Sequence, residues 1–204
     1  MGILDRMRLD GKSIYVTGGA QGLGKAMATG LAEAGADVAI VDINEEKAKA
    51  TADEIAQATG QKVIAVKTDV TDPEEVEAMV NTVVDQLGGL DAAFNNAGMC
   101  LNVPAEEMSY EDWLKVVNLN LNSVFLCSTA AGRYMLKQGH GSIVNTASMS
   151  AHIVTRPQPQ CSYNATKNGV IQLSKSLAIE WAKRGVRVNT MSPGYMGTDL
   201  TLSS

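Results

Sequence analysis

No stretch of the chain reaches the roughly 18 unbroken apolar residues that a bilayer span needs, so no membrane association is expected. Basic residues are scarce, 17 Lys and Arg against 22 Asp and Glu for a formal charge of -5, and they form no cluster that could neutralise phosphates. A nucleic-acid partner is therefore not expected. The two histidines, His140 and His152, stand alone, and no metal site is expected. Cys100, Cys127 and Cys161 are odd in number and widely spaced, which suits reduced thiols better than a disulfide framework. Residues 1–12 carry neither a secretory apolar core nor an Arg-rich, acid-free transit pattern, and Arg6 stands where a myristoylation signal wants Ser or Thr. A cytoplasmic location is the resulting expectation.

What is present is an ordinary globular balance, 45% apolar and 19% charged, in a length that favours one domain with a proper core over two. Short apolar runs alternate with longer helical patterns, the signature of a parallel sheet built from βαβ units. Strands are expected over 13–17, 37–41, 63–67, 90–95, 141–146 and 186–190, with helices near 22–34, 45–59, 73–87, 110–137 and 163–183. Asp72 before Pro73 reads as an N-cap with a first-turn proline, and Gly35, Gly60 and Gly88 read as helix stops. In the long fourth helix Leu114, Val117, Leu121, Val124, Ala131 and Met135 form one apolar stripe that should face inward. The loop 156–160 is unusual, with two prolines and two glutamines.

Thr17-Gly18-Gly19-Ala20-Gln21-Gly22-Leu23-Gly24 follows the first strand and opens the first helix, where backbone N–H groups and the helix dipole can receive a pyrophosphate. Such a turn also serves as plain punctuation. Asp42 ends the second strand about twenty residues on, where a carboxylate would accept hydrogen bonds from adenosine ribose hydroxyls; the other reading is a turn before the next helix. A 2′-phosphate would meet the Asp42 charge, with no Arg or Lys before Glu46 to compensate, so NAD is expected over NADP. Tyr163 and Lys167 share a helix face at i, i+4. An ammonium about 4 Å from a phenol is worth roughly 3 pKa units at an effective dielectric near 20, enough to bring the phenol toward general acid–base work. The same pair could simply decorate a solvated face.

Taken together these pieces resemble the short-chain dehydrogenase/reductase family, from Gly11 to the chain end and in the family's motif order. The matching residues are the 17–24 turn, Asp69-Val70, Asn95-Asn96-Ala97-Gly98, Asn120, Ser148, Tyr163 with Lys167, and Pro193-Gly194 with Thr198. The resemblance implies a Rossmann-type doubly wound α/β fold in a single domain, and a hydride-transferring enzyme acting on an alcohol or ketone. It implies that Gly18, Gln21, Gly22, Leu23 and Gly24 cradle the cofactor phosphates, and that Asp69 and Val70 meet the adenine. Asn96, Ala97 and Gly98 would admit the ribose, while Pro193, Gly194, Met196 and Thr198 would line the nicotinamide. Tyr163 would transfer the proton, Lys167 would grip the nicotinamide ribose, Ser148 would stabilise charge on the substrate oxygen, and Asn120 would hold a water that relays protons. Asn120 is preferred over Asn118 and Asn122 because it lies seven residues after Trp113 and five before Phe125. Ser148 is preferred over Ser150 for its place at the strand end.

Met149, His152 and the Pro157–Gln160 run resemble polyol and ketose members, making a sugar alcohol and its ketose the expected substrates. Gluconate or 3-oxoacyl reduction, and a non-catalytic cofactor-binding fragment, are the alternatives. The chain stops at Leu202-Ser203-Ser204 where relatives continue into a substrate-covering segment, so it is expected to be C-terminally short. The family also implies a homo-oligomer, dimer or tetramer.

Overall fold

Continuous apolar runs become strands when both faces of a sheet are covered, and six do so here. In this computed structural model, which describes residues 2–198, the strands are β1 (Ser13–Thr17), β2 (Asp37–Asp42), β3 (Val63–Lys67), β4 (Ala92–Asn95), β5 (Gly141–Thr146) and β6 (Val186–Met191). All pairings are parallel, in the order β3-β2-β1-β4-β5-β6. The main helices are α1 (Gly22–Glu33), α2 (Glu45–Thr59), α3 (Pro73–Leu87), α4 (Tyr110–Val117), α5 (Ser123–Gln138) and α6 (Cys161–Trp181). This is the expected single-domain, Rossmann-type doubly wound fold. Leu202-Ser203-Ser204, on which the expectation of a short C-terminus rested, lie outside the described residues.

Alternation along the strands divides the core in two. Ile14, Val16, Val38 and Ile40 pack with Ala28, Ala32, Ala48 and Ile55 of α1 and α2. Tyr15, Ala39 and Val41 take the opposite face, with Met79 and Val83 of α3, Met135 of α5 and Trp181 of α6. Fully burying each Val, Ile or Met side chain among them stabilises by about 1.5–3 kcal/mol. The caps act as expected. Asp72 accepts from the N–H groups of Glu74 and Glu75, and Gly60 and Gly88 end α2 and α3 at φ of 74° and 82°.

The fourth helix departs from its expected form. It is not continuous over 110–137, because a π-helical turn, Asn118–Asn122, separates α4 from α5. One extra residue per turn rotates the buried face. Before the turn the inward residue is Val116, while Leu114, expected inside, is exposed; after it Val124, Ala131 and Met135 are buried as expected. Strand β4 begins at Ala92 rather than Leu90, although the Asp91 backbone still bonds to Ser13 and Ser142 on either side and its carboxylate accepts from the Ser13 N–H and the Lys12 ammonium. Helix α6 starts at Cys161 and passes into a short 3-10 turn, Ala182–Arg184, instead of running over 163–183.

Strand order reverses between β1 and β4, and in open parallel sheets ligands bind outside the carboxyl ends at that point. No described helix is long and apolar enough to cross a membrane. Among the described residues no group of three His, Cys, Asp or Glu is placed to hold a metal.

Candidate active site

At the β1/β4 reversal the strand ends open into a cleft of about 660 Å³. One wall is the glycine turn. Gly18 and Gly22 adopt φ of 61° and 54°, which side chains resist. A Cβ on Gly24 would lie 2.0 Å from the Gly18 carbonyl oxygen, so only hydrogen fits there. Gln21 precedes α1 without a side-chain cap, leaving the first N–H groups of that helix available to an anion. Asn96 ties the turn to β4: its N–H donates to the Thr17 hydroxyl at 2.9 Å and its side-chain amide to the Thr17 carbonyl at 3.1 Å. The Ala97 N–H shares that hydroxyl at 3.1 Å.

Asp42 stands at the lip. Its two oxygens accept from the Ala20 N–H at 3.2 Å and the Asn44 N–H at 3.0 Å, which fixes the carboxylate beside the glycine turn. Two cations lie past the 42–46 stretch: the Lys47 ammonium donates to Gln21 Oε1 at 3.0 Å, and Lys67 is the register partner of Asp42 on the neighbouring strand. Asp69 accepts from both the N–H and the hydroxyl of Thr71 through one oxygen, at 2.9 and 2.7 Å. Leu23, Val70, Ala97 and Gly98 line the cleft, and Pro193, Gly194, Met196 and Thr198 close its other side. The Thr198 side chain comes within 3.6 Å of where a Gly22 Cβ would stand. Thr68, 2% exposed, contributes a buried hydroxyl with no hydrogen-bond partner to the same cleft. A cradle that tolerates no Cβ, an open helix N-terminus and an orphaned hydroxyl fit a nicotinamide dinucleotide.

Tyr163 and Lys167 of α6 and Ser148 after β5 line the cleft, whereas Asn120, in the π turn, is buried behind Gly98 and does not line it. The structure thus brings three of the four to the cleft wall and sets the fourth behind it. Lys167 is 3% exposed and donates to the Thr146 carbonyl at 2.8 Å, and burial lowers its pKa to about 8. Ser148 accepts from the Ser150 N–H at 3.1 Å, which leaves its own proton to donate toward the site. That hydroxyl stands by the Tyr163 phenol and acts to lower its pKa, whereas the Ser150 hydroxyl is turned to the Gln160 amide at 3.4 Å.

The phenol itself corrects an expectation. Burial raises the Tyr163 pKa above its ordinary value, the Ser148 hydrogen bond opposes that rise, and nearby Cys100 adds to it. Lys167 does not acidify the phenol as its spacing suggested. Its ammonium lies over the ring, 5.6 Å from the centroid, and is anchored on Thr146.

Asn120 is fully buried, whereas Asn118 and Asn122 are exposed and bonded to each other at 2.8 Å. The Asn120 amide makes a reciprocal pair with the Met99 backbone, both bonds 2.8 Å, and reaches the Thr166 hydroxyl at 3.4 Å. A Cβ on Gly98 would stand 3.1 Å from Asn120 Oδ1 and 3.4 Å from Lys167 Nζ, so glycine is what lets these two converge.

A second cavity of about 90 Å³ adjoins Ser148 and Tyr163, with Cys100, Asn102, Thr155 and Gln158 among its walls. Cys100 and Asn102 were not singled out in the sequence, and neither were Ile43, Thr68, Lys115 and Asn118 as cleft residues. Ile43 and Thr68 flank residues that were, which is the signal that could have found them. Loop residues such as Asn102 carry no periodicity at all. His152 is exposed and pairs with Ser192 at 3.2 Å, outside both cavities.

Comparison with known proteins agrees with this architecture. The family profile for short chain dehydrogenases matches residues 12–204. An NADP-dependent mannitol dehydrogenase of Hypocrea jecorina is 43% identical over 98% of this chain and 76% of its own length. A galactitol 2-dehydrogenase of Rhizobium johnstonii is 39% identical over 100% of this chain and 79% of its own. A crystal structure of a short-chain type dehydrogenase/reductase from Mycobacterium marinum superposes with a TM-score of 0.93 at 40% identity, covering 96% of this chain and 79% of that one. The chain belongs to the short-chain dehydrogenase family and is an NAD(P)-dependent oxidoreductase acting on CH–OH donors.

Proposed function

We propose that the chain interconverts a sugar alcohol and its ketose, with NAD preferred, in one dinucleotide-binding catalytic domain spanning residues 1–204. The observation that carries this reading is the Ser148–Tyr163 pair at the junction of the glycine-walled cleft and the second, smaller cavity. When bound, the nicotinamide supplies the hydride acceptor or donor. Asp69, Val70, Asp42 and the glycine turn would hold the adenosine half, and Asn96 to Gly98, Lys167, Pro193, Gly194, Met196 and Thr198 the nicotinamide half.

During alcohol oxidation Tyr163, as phenolate, takes the hydroxyl proton; during reduction it returns one to the ketone oxygen. Ser148 donates to that same oxygen and stabilises the charge that grows on it. Lys167, with its pKa brought to about 8, exchanges its proton near neutral pH and would also grip the ribose hydroxyls. Asn120 fixes the Met99 backbone beside Lys167, and the relay water that the resemblance implies would be held from there.

The mannitol and galactitol relatives support a polyol substrate, as does the amide-rich cavity. The NAD preference rests on Asp42, whose fixed carboxylate would repel a 2′-phosphate; the mannitol relative is named for NADP. A dimer or tetramer in the cytoplasm belongs to the same reading, with Phe125 of α5 and Ile179 of α6, 50% and 82% exposed, as apolar surface that self-association would cover.

The test is a panel of polyols, ketoses, gluconate and oxoacyl thioesters, read at the nicotinamide absorbance with each cofactor. Ketose-dependent NADH oxidation is expected. NADH binding with turnover of gluconate or thioesters alone would contradict the substrate class, and binding with no turnover would favour the non-catalytic alternative.

A further inference from the structure

Two glutamines, two positions apart in the 156–160 loop, have opposite fates. Gln160 is fully engaged: its amide N–H groups donate to Thr155 Oγ1 at 3.0 Å and Ser150 Oγ at 3.4 Å, and its carbonyl accepts from the Cys100 thiol at 3.2 Å. Gln158 lines the 90 Å³ cavity that Ser148 and Tyr163 border, yet its Oε1 is buried with no hydrogen-bond partner. Native proteins leave few buried acceptors unpaired, because each forfeits its hydration without replacement. An orphan beside the reacting atoms is best explained by a partner that arrives with the substrate.

The chemistry narrows that partner. A glutamine amide offers an acceptor and two donors on a terminal torsion that turns readily. A hydroxyl, itself donor and acceptor, matches it. The cavity is too small for a bulky group, and Asn102 and Thr155 add polar atoms to its wall. Gln158 also lies on a loop, where specificity is more often found than in the strands that hold the chemistry.

We propose that Gln158 is a specificity residue whose amide hydrogen-bonds a substrate hydroxyl beyond the reacting carbon, so that polyhydroxylated substrates are selected over plain alcohols and ketones. This rests on the polyol and ketose reading above. A site built to hydrogen-bond a hydroxyl discriminates against the analogue that lacks it, because its own polar group is then left unpaired.

The test compares kcat/KM for a ketose and for an unsubstituted ketone of equal chain length in wild type, Gln158→Met and Gln160→Met. Gln158→Met should lower the ketose-to-ketone ratio by about tenfold or more, chiefly through the ketose KM. Gln160→Met, which loosens the loop, should lower both substrates together. NADH fluorescence titration shows whether each variant keeps its fold; should Gln158→Met lose binding, Gln158→Glu takes its place and should keep part of the ratio through its remaining acceptor oxygens. An unaltered ratio in a Gln158→Met protein that binds NADH, or a Gln158→Glu ratio no different from that of Gln160→Met, overturns the proposal. A wild type that reduces the plain ketone as well as the ketose overturns the polyol reading, and this inference with it. A wild type selective for ketoses whose ratio ignores Gln158 overturns this inference alone.

Discussion

Two buried polar clusters lie against β4 and β5, and their hydrogen bonding differs in kind. In the first, the Tyr15 hydroxyl donates to Asn95 at 2.9 Å, the Asn95 amide donates to Asn145 at 2.8 Å and Ser128 at 3.1 Å, and Asn145 donates to Ser174 at 2.9 Å. Ser174 closes the chain on the Val170 carbonyl at 2.7 Å. This network joins β1, β4, β5, α5 and α6 with its members paired, and its one titratable phenol, Tyr15, is held far from ionisation by complete burial. In the second cluster Lys167 is brought down to about 8, Tyr163 is pushed up, and the bordering Gln158 keeps an orphan oxygen. Satisfied buried polar groups specify a core; shifted groups that also open on a cleft, as Tyr163 and Lys167 do and Tyr15 does not, mark where protons move.

Substitutions in the two clusters should therefore fail in opposite ways. Tyr163→Phe should lose about 10²–10⁴-fold in turnover while keeping NADH binding by fluorescence and wild-type unfolding by denaturant. Asn145→Ala should do the reverse, destabilising by about 3 kcal/mol in denaturant melts because Asn95 and Ser174 lose a partner in a dry interior. Lost stability in the first variant or lost chemistry alone in the second would erase the contrast.

Lys167 sharpens it further. Its folded pKa, about 8, lies below the ordinary 10.5, so the folded protein binds that proton less tightly than the unfolded chain. The charge therefore penalises folding below pH about 8, and the penalty fades as pH rises toward 10.5. Lys167→Met should gain about 2 kcal/mol near neutral pH in nucleotide-free protein, after allowing for the lost bond to Thr146, with the gain vanishing in strong alkali. It should also lose activity. A destabilised Lys167→Met would mean that the buried ammonium is compensated like the structural network.

The cofactor lip offers the smallest effect. Both Asp42 oxygens already hold backbone N–H groups, so Asp42→Ala should relax the NAD-to-NADP ratio of kcat/KM by about tenfold through loss of charge repulsion. An unaltered ratio would transfer the choice to Lys47 and Gln21.

How much of this could be read from residues alone follows from where the physics is local. The strand runs, the Asp72-Pro73 cap and the glycine stops are set by neighbours in sequence, and the structure has them nearly where the spacing puts them. The glycine turn was legible for the same reason, since Gly24 excludes a Cβ through its own turn. The π turn was not, because Leu119 and Leu121 continue an acceptable α pattern, and the Asn120–Met99 pairing that accompanies the extra residue joins positions distant in sequence. Nor was the direction of the Tyr163 shift. Spacing put an ammonium beside the phenol, but burial, which depends on the whole fold, and the Thr146 carbonyl decide what that ammonium does. Cys100 and Asn102 join the site only through the path of the loop after β4.

The most direct test of Tyr163 as the proton-transferring group is the pH dependence of kcat/KM for polyol oxidation, which reports ionisations of the free enzyme. With the phenol raised by burial, wild type should still be climbing at and beyond the ordinary phenol value of about 10, and Tyr163→Phe should lack that limb. A Tyr163→Phe protein that climbs with the same slope at wild-type rates would contradict the account.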